Sequence, residues 1–96
     1  MFTRLMDSLA ATERLSRVFS DGGVLQAMLD FEAGLARAEA STGVIPEAAA
    51  AVISAAARAE GFDVEELARL SYRAGTPAIP LVRMLTERVR EPTCLG

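Results

Sequence analysis

Residues 20–43 read Ser20-Asp21-Gly22-Gly23, then VLQAMLDFEAGLARAEAST, and close on Gly43. Val24, Met28, Phe31, Leu35 and Ala38 recur at spacings of three and four, which puts them on one stripe of an α-helix. This stripe is expected to face the core. Leu25, Leu29, Ala33 and Ala36 form a second apolar strip beside it, whereas Gln26, Asp30, Arg37 and Ser41 fall mostly elsewhere on the surface. Such wide apolar coverage calls for neighbours on two sides. Ser20 or Asp21 is placed to cap the first turn by accepting from its orphan N–H groups, and Gly43 to end the helix in the left-handed conformation.

Downstream, Val44-Ile45-Pro46 makes a turn, with the proline at a first helical position where a missing N–H costs nothing. A helix is expected from Pro46 to about Glu60, ending at Gly61. Its runs Ala48–Ala51 and Ala55–Ala57 carry high helix propensity, and Val52 and Ile53 are its main anchors. Asp63 and Glu66 form a capping-box-like start to a helix reaching about Arg73, with Val64, Leu67, Leu70, Ser71 and Ala74 on its stripe and Gly75 as its break. Prolines 77 and 80 each bias the preceding residue away from helix, so 76–79 reads as a constrained loop. A last helix is expected from about Pro80 to Arg90, with Leu81, Leu85 and Val89 inward, an Arg83–Glu87 pair on its surface and Pro92 beyond its end. Upstream, Leu5, Leu9, Leu15 and Val18 lie among charged residues, which suggests a frayed terminus and a short helix around Thr12–Phe19. The expected fold is all-α: a small domain of four to five helices over 20–90, an N-terminal segment over 1–19 and an unassigned tail over 91–96. The pattern holds no strand, repeat or linker.

The 96 residues suffice for one small domain. A domain this short buries only about 60–65% of its unfolded surface, so a chain that is 51% hydrophobic has apolar area to spare for a partner or for further sequence. The net charge of −3 is spread over mixed acids and bases, with no basic stripe to follow a nucleic acid backbone. No apolar run approaches the roughly 20 residues of a membrane span, and the N-terminus lacks the pattern of a signal peptide. The single Cys94 fits a reducing compartment, and cytoplasm is the expected location.

With no histidine in the chain, Ser-His-Asp and Cys-His catalysis and histidine metal sites are excluded. The glycines form no phosphate-cradling loop, so no metal or cofactor is expected. Asp30 and Glu32 diverge by about 200° on a helix and cannot converge on one substrate. Glu65 and Glu66 read as first-turn acids, and Glu32 as a residue hydrogen-bonded within the fold. Met28, Met84 and Tyr72 read as packing residues. Arginines 58, 69, 73, 83, 88 and 90 are mostly expected on solvated helix faces. Arg73, next to the Thr76 loop, is the foremost candidate to meet an anionic substrate.

Asp21 followed by LQAMLDFEAGLARAEASTGVIP resembles the opening helix of the fumarase and aspartase superfamily, most closely its 3-carboxy-cis,cis-muconate cycloisomerase branch. Ala74-Gly75-Thr76-Pro77-Ala78-Ile79-Pro80-Leu81-Val82 resembles a second segment of that branch, in the right order and at about the expected distance. The likeness covers roughly Phe19 to Val89 and corresponds to the N-terminal domain of a protein several times longer. It implies an all-α homotetramer whose active sites are assembled from several subunits. It also implies cofactor-independent proton transfer next to a carboxylate of a small polycarboxylate, here lactone closure in aromatic catabolism by way of protocatechuate and β-ketoadipate. The family's G-A-T-S-Q-D-like segment and its S-S-x-M-P-x-K-x-N loop with the catalytic serine are not found in this sequence, so no catalytic residue is assigned and the chain alone is expected to be inert. Thr76 and Pro77, with Arg73, are the substrate-binding candidates, although a simple helix cap accounts for Thr76 at least as well. The Arg-Tyr pair that helps adenylosuccinate lyases hold substrate is missing: Ser8, Leu9 and Ala10 stand there. Thr76, Pro77 and Ala78 likewise replace the histidine and aspartate of those enzymes. The competing readings are a stand-alone helical interaction module and a piece of another superfamily lyase.

Overall fold

The computed structural model describes residues 2–21 and 23–90, in five helices: α1 Phe2–Ser20, α2 Val24–Ser41, α3 Glu47–Ala56, α4 Val64–Ala74 and α5 Ala78–Arg90. The expectations for Gly22, Pro92 and the tail lie outside the described residues. The all-α architecture agrees with the sequence pattern. α1 packs chiefly on α4 and α2 on α3, while α5 touches both α3 and α4. The radius of gyration is 15.1 Å over extents of 50 × 26 × 22 Å, against about 12–13 Å for a compact chain of this length.

The core is leucine and alanine. Leu25, Leu29, Leu67 and Leu81 are fully buried, and Phe19, Ala33, Ala56, Ala57, Ala68 and Leu85 complete the cluster. Each buried leucine contributes roughly 1.5–3 kcal/mol relative to exposure. On α2 the two apolar strips trade the expected roles: Leu25, Leu29, Ala33 and Ala36 are buried, whereas Phe31 is 69% exposed, and Val24, Leu35 and Ala38 are also exposed. Spacing identifies both strips but not which of them a neighbour covers, and α3 and the other helices reach only one.

Helix ends match the sequence at some points and depart from it at others. Gly43, Gly61 and Gly75 all have positive φ, at 82°, 82° and 78°. The Asp63 side chain accepts from the Glu66 N–H at 3.1 Å, as its position suggests. Ser20, in contrast, belongs to α1 and donates its hydroxyl to the Ser16 carbonyl, and the N-cap of α2 is Gly23, with no side-chain cap. The N-terminal helix begins at Phe2 instead of near Thr12. Its Leu5, Met6 and Leu9 remain about half exposed, so the apolar spacing there marks a helix that is barely covered. α5 starts at Ala78, two residues before Pro80, because a proline in a first turn removes no intrahelical bond. Arg83 and Glu87 do not pair. The ion pairs among the described residues are Arg69–Glu66 at 2.5 Å and Arg17–Glu13 at 3.9 Å.

The largest departure concerns α3, which stops at Ala56, well short of Glu60. Two side chains from other helices meet the backbone there. Gln26 donates to the Ala57 carbonyl at 3.0 Å and accepts from the Ala59 N–H at 2.8 Å. Arg88 donates to the carbonyls of Ala56 at 3.2 Å, Arg58 at 2.6 Å and Glu60. Its guanidinium also lies 4.4 Å from the centre of the Phe62 ring. A Cβ on Gly61 would come within 2.5 Å of that guanidinium, so glycine here satisfies both the backbone angle and the approach.

Two stability predictions follow from these contacts. Arg88→Ala should lower unfolding free energy by about 1–2 kcal/mol, because it removes three charge-assisted hydrogen bonds, one of them to the part-buried Ala56 carbonyl, and the ring contact, and Gln26→Ala by about 1–2 kcal/mol. Arg14→Ala should have an effect within about 0.5 kcal/mol, all three read from urea midpoints. Among the described residues the buried Ser71 hydroxyl has no hydrogen-bond partner, so Ser71→Ala should raise the unfolding free energy by up to about 1 kcal/mol, read from the same midpoints.

Candidate functional site

The site residues expected from sequence lie at the corner where Gly75 ends α4 and Thr76-Pro77 leads into α5. Gly75 donates its N–H to the Ser71 carbonyl at 2.9 Å, closing α4. The Thr76 hydroxyl accepts from the Ala78 N–H at 3.3 Å, and the Pro77 carbonyl accepts from the Leu81 N–H at 2.9 Å. Thr76 and Pro77 are half-buried. In this arrangement the hydroxyl serves the start of α5.

Beside the corner, a cleft of about 430 Å³ opens between α4 and α5, lined by Leu70, Arg73, Ala74, Ile79, Pro80 and Arg83. Arg73 stands where sequence reasoning put it, next to the 75–77 turn. Arg83 joins it from the second turn of α5. The spacing of ten residues across two prolines gave no periodic signal that they share a wall.

The six arginines separate by what they touch. Arg88 is taken up by backbone carbonyls, as described. Arg69 bonds Glu66 twice, at 2.5 and 3.2 Å; the hydrogen bond, and then the charge of Glu66, raise its pKa above the ordinary value, so it stays committed as a cation. Arg58 is exposed beside the α3 terminus, and Arg90 borders a separate groove. Arg73 and Arg83 have no carboxylate within 4 Å among the described residues. That leaves two cations facing one partly apolar space.

The second groove, about 300 Å³ between α2 and α5, is lined by Leu35, Ala36, Ile53, Val82, Leu85 and Val89, with Glu32, Glu39 and Arg90 at its margin. Glu32 is half-buried there and has no side-chain hydrogen bond among the described residues, unlike the bonded position expected for it. Among the described residues no three metal-ligating side chains gather, and no helix is long and apolar enough to cross a membrane.

Five helices, a glycine-terminated fourth helix and a Thr-Pro corner into the fifth make a small all-α domain. The chain is 49% identical over 85 residues to 3-carboxy-cis,cis-muconate cycloisomerase of Pseudomonas putida, and 52% identical over 86 residues to the enzyme of that name from Pseudomonas aeruginosa. These matches take in 88% and 90% of this chain but only 20% and 19% of the relatives, so the chain spans about one fifth of their length. Adenylosuccinate lyase of Pyrococcus abyssi is more distant, at 34% over 82 residues, covering 85% of this chain and 18% of the lyase. Over the matched stretch the chain belongs to the 3-carboxy-cis,cis-muconate cycloisomerase family. No protein-family model matches it, and no solved structure does.

The corner supports one local prediction. Thr76→Ala should destabilise by about 0.5–1 kcal/mol through loss of the acceptor for Ala78, and Thr76→Ser should restore most of it, as read from thermal unfolding.

Proposed function

We propose that this chain is the N-terminal part of a 3-carboxy-cis,cis-muconate cycloisomerase, inert alone, with residues 20–90 forming its first domain. The observation that carries this reading is identity near one half with enzymes of that name over nine-tenths of this chain, set against coverage of one fifth of theirs. In the whole protein the reaction joins an internal carboxylate oxygen to a carbon of a muconate double bond, and a proton is added at the neighbouring carbon. The chain contributes substrate-binding surface, with Arg73, Thr76 and Pro77 near one wall of the site, while proton transfer falls to residues outside these 96. The partners are a small polycarboxylate and further copies of the same subunit in a homo-oligomer, in the cytoplasm.

The lower identity to adenylosuccinate lyase, together with Thr76-Pro77 at the corner, favours the cycloisomerase over the succinyl-adduct lyases. The exposed Phe31 and Leu35 fit a domain with a covered face in a larger protein as well as they fit an interaction module. The test is turnover. A protein extending this chain through the remaining four-fifths of its relatives' length should consume 3-carboxy-cis,cis-muconate, followed by loss of its ultraviolet absorbance, while the 96 residues alone consume none. Turnover by the 96 residues would overturn inertness, and an extended protein that cleaves a succinyl adduct instead would overturn the substrate.

A further inference from the structure

The α4–α5 cleft gathers more positive potential than its position in an acidic chain would lead one to expect. Arg73 stands in the last turn of α4, and its neighbours one helical turn back are Arg69 and Leu70, so α4 offers it no acid. Arg83 has Glu87 one turn onward, within reach by spacing, yet the two do not pair. Among the described residues both guanidiniums are therefore without a counter-ion while lining the same 430 Å³ space. A net charge of −3 makes two such arginines on one wall a local inversion of the chain's own field.

The start of α5 adds to this. Its first turn holds no acidic residue, and Ile79 and Pro80 of that turn line the cleft. Of the first-turn groups, the Ala78 N–H goes to Thr76, the Leu81 N–H goes to the Pro77 carbonyl, and Pro80 has none. The Ile79 N–H is the donor left over at the positive end of a 13-residue helix. The remaining walls, Leu70, Ala74, Ile79 and Pro80, are hydrocarbon. Two forked cations, a helix N-terminus and an apolar floor match a ligand with carboxylates on a short carbon frame. A bare inorganic anion would leave the floor unused.

We propose that the α4–α5 cleft is a carboxylate-binding site in which Arg73 and Arg83 clamp two carboxylates of one short di- or tricarboxylate. Arg83 is thereby assigned as a binding residue equal to Arg73. This rests on the proposed polycarboxylate chemistry and narrows it to a named pair of side chains. Both arginines are exposed, so solvent screens each contact and the 96-residue chain alone should bind in the millimolar range.

The experiment is an NMR titration of the ¹⁵N-labelled 96-residue chain with tricarballylate at constant ionic strength, with the neutral triamide as control. Saturable shifts are expected at the side-chain Nε of Arg73 and Arg83 and at the backbone amides of Ala74 and Ile79, with none from the triamide. Arg73→Ala and Arg83→Ala should each weaken binding about tenfold, Arg83→Lys should recover only part of it, and Arg14→Ala should leave it unchanged. Unaltered unfolding midpoints in the variants would show that the fold is intact. Shifts that rise linearly without saturating, or an Arg14→Ala effect as large as the other two, would overturn the clamp. The two proposals fail separately. Turnover by the extended protein, with kcat and KM unmoved by Arg83→Ala, overturns the clamp and leaves the cycloisomerase reading standing. Saturable tricarballylate binding in a chain whose extension has no turnover does the reverse.

Discussion

Stopping α3 at Ala56 opens carbonyls that an isolated helix end would turn to water, and here Gln26 of α2 and Arg88 of α5 take them. Hydrogen bonds from a charged donor to backbone carbonyls are among the stronger ones available, and removing the donor leaves the acceptors stranded. The consequence is architectural. The 57–62 connection turns on Gly61 and is fixed from both sides, so α4 starts at Asp63 in a defined direction. The place of α4 then sets the α4–α5 corner and the cleft beside it. A chain with 51% hydrophobic residues, many of them alanine, has few large side chains with which to enforce such a path by packing alone.

The residues that encode this closure were not legible as such. Gln26 reads as a polar residue on the outer face of an amphipathic helix, and Arg88 as one of several arginines on another. Their partners are backbone groups 28 to 33 residues away in sequence, and backbone groups carry no sequence signal. Local chemistry was easier to read. The Asp63 cap and the glycine terminators at 43 and 75 follow from short-range geometry and appear where composition put them, whereas Gly61 turns the connection five residues beyond the end of α3. The alanine-rich stretch shows the limit of propensity: Ala57 could continue α3, but tertiary hydrogen bonds to the turn outcompete one more helical residue.

The second helix makes the same point about burial. Its apolar arc is wide enough for two neighbours, and the five helices supply one of them, so the strip led by Leu25 and Leu29 is covered while Phe31 and Leu35 stay in water. Periodicity measures how much of a helix is apolar. Which part is dry depends on what else is present. The relatives are about five times longer than this chain.

At the candidate site, the resemblance and the geometry contribute different things. Sequence order picked out Thr76-Pro77 and the nearby Arg73, and the structure binds the threonine hydroxyl to the start of α5, which makes that residue a builder of the corner. Arg73 gains weight for another reason. Of the six arginines, among which sequence singled out Arg73 only by its place next to the Thr76 loop, Arg88 is held by carbonyls and Arg69 by Glu66, and among the described residues Arg73 and Arg83 line the same cleft without a carboxylate within 4 Å. A guanidinium bound to backbone holds a fold together, whereas one left without a counter-ion beside hydrocarbon keeps its donors for a ligand. That division of labour among identical side chains is set by neighbours, which is why it became visible only once α4 and α5 were placed side by side.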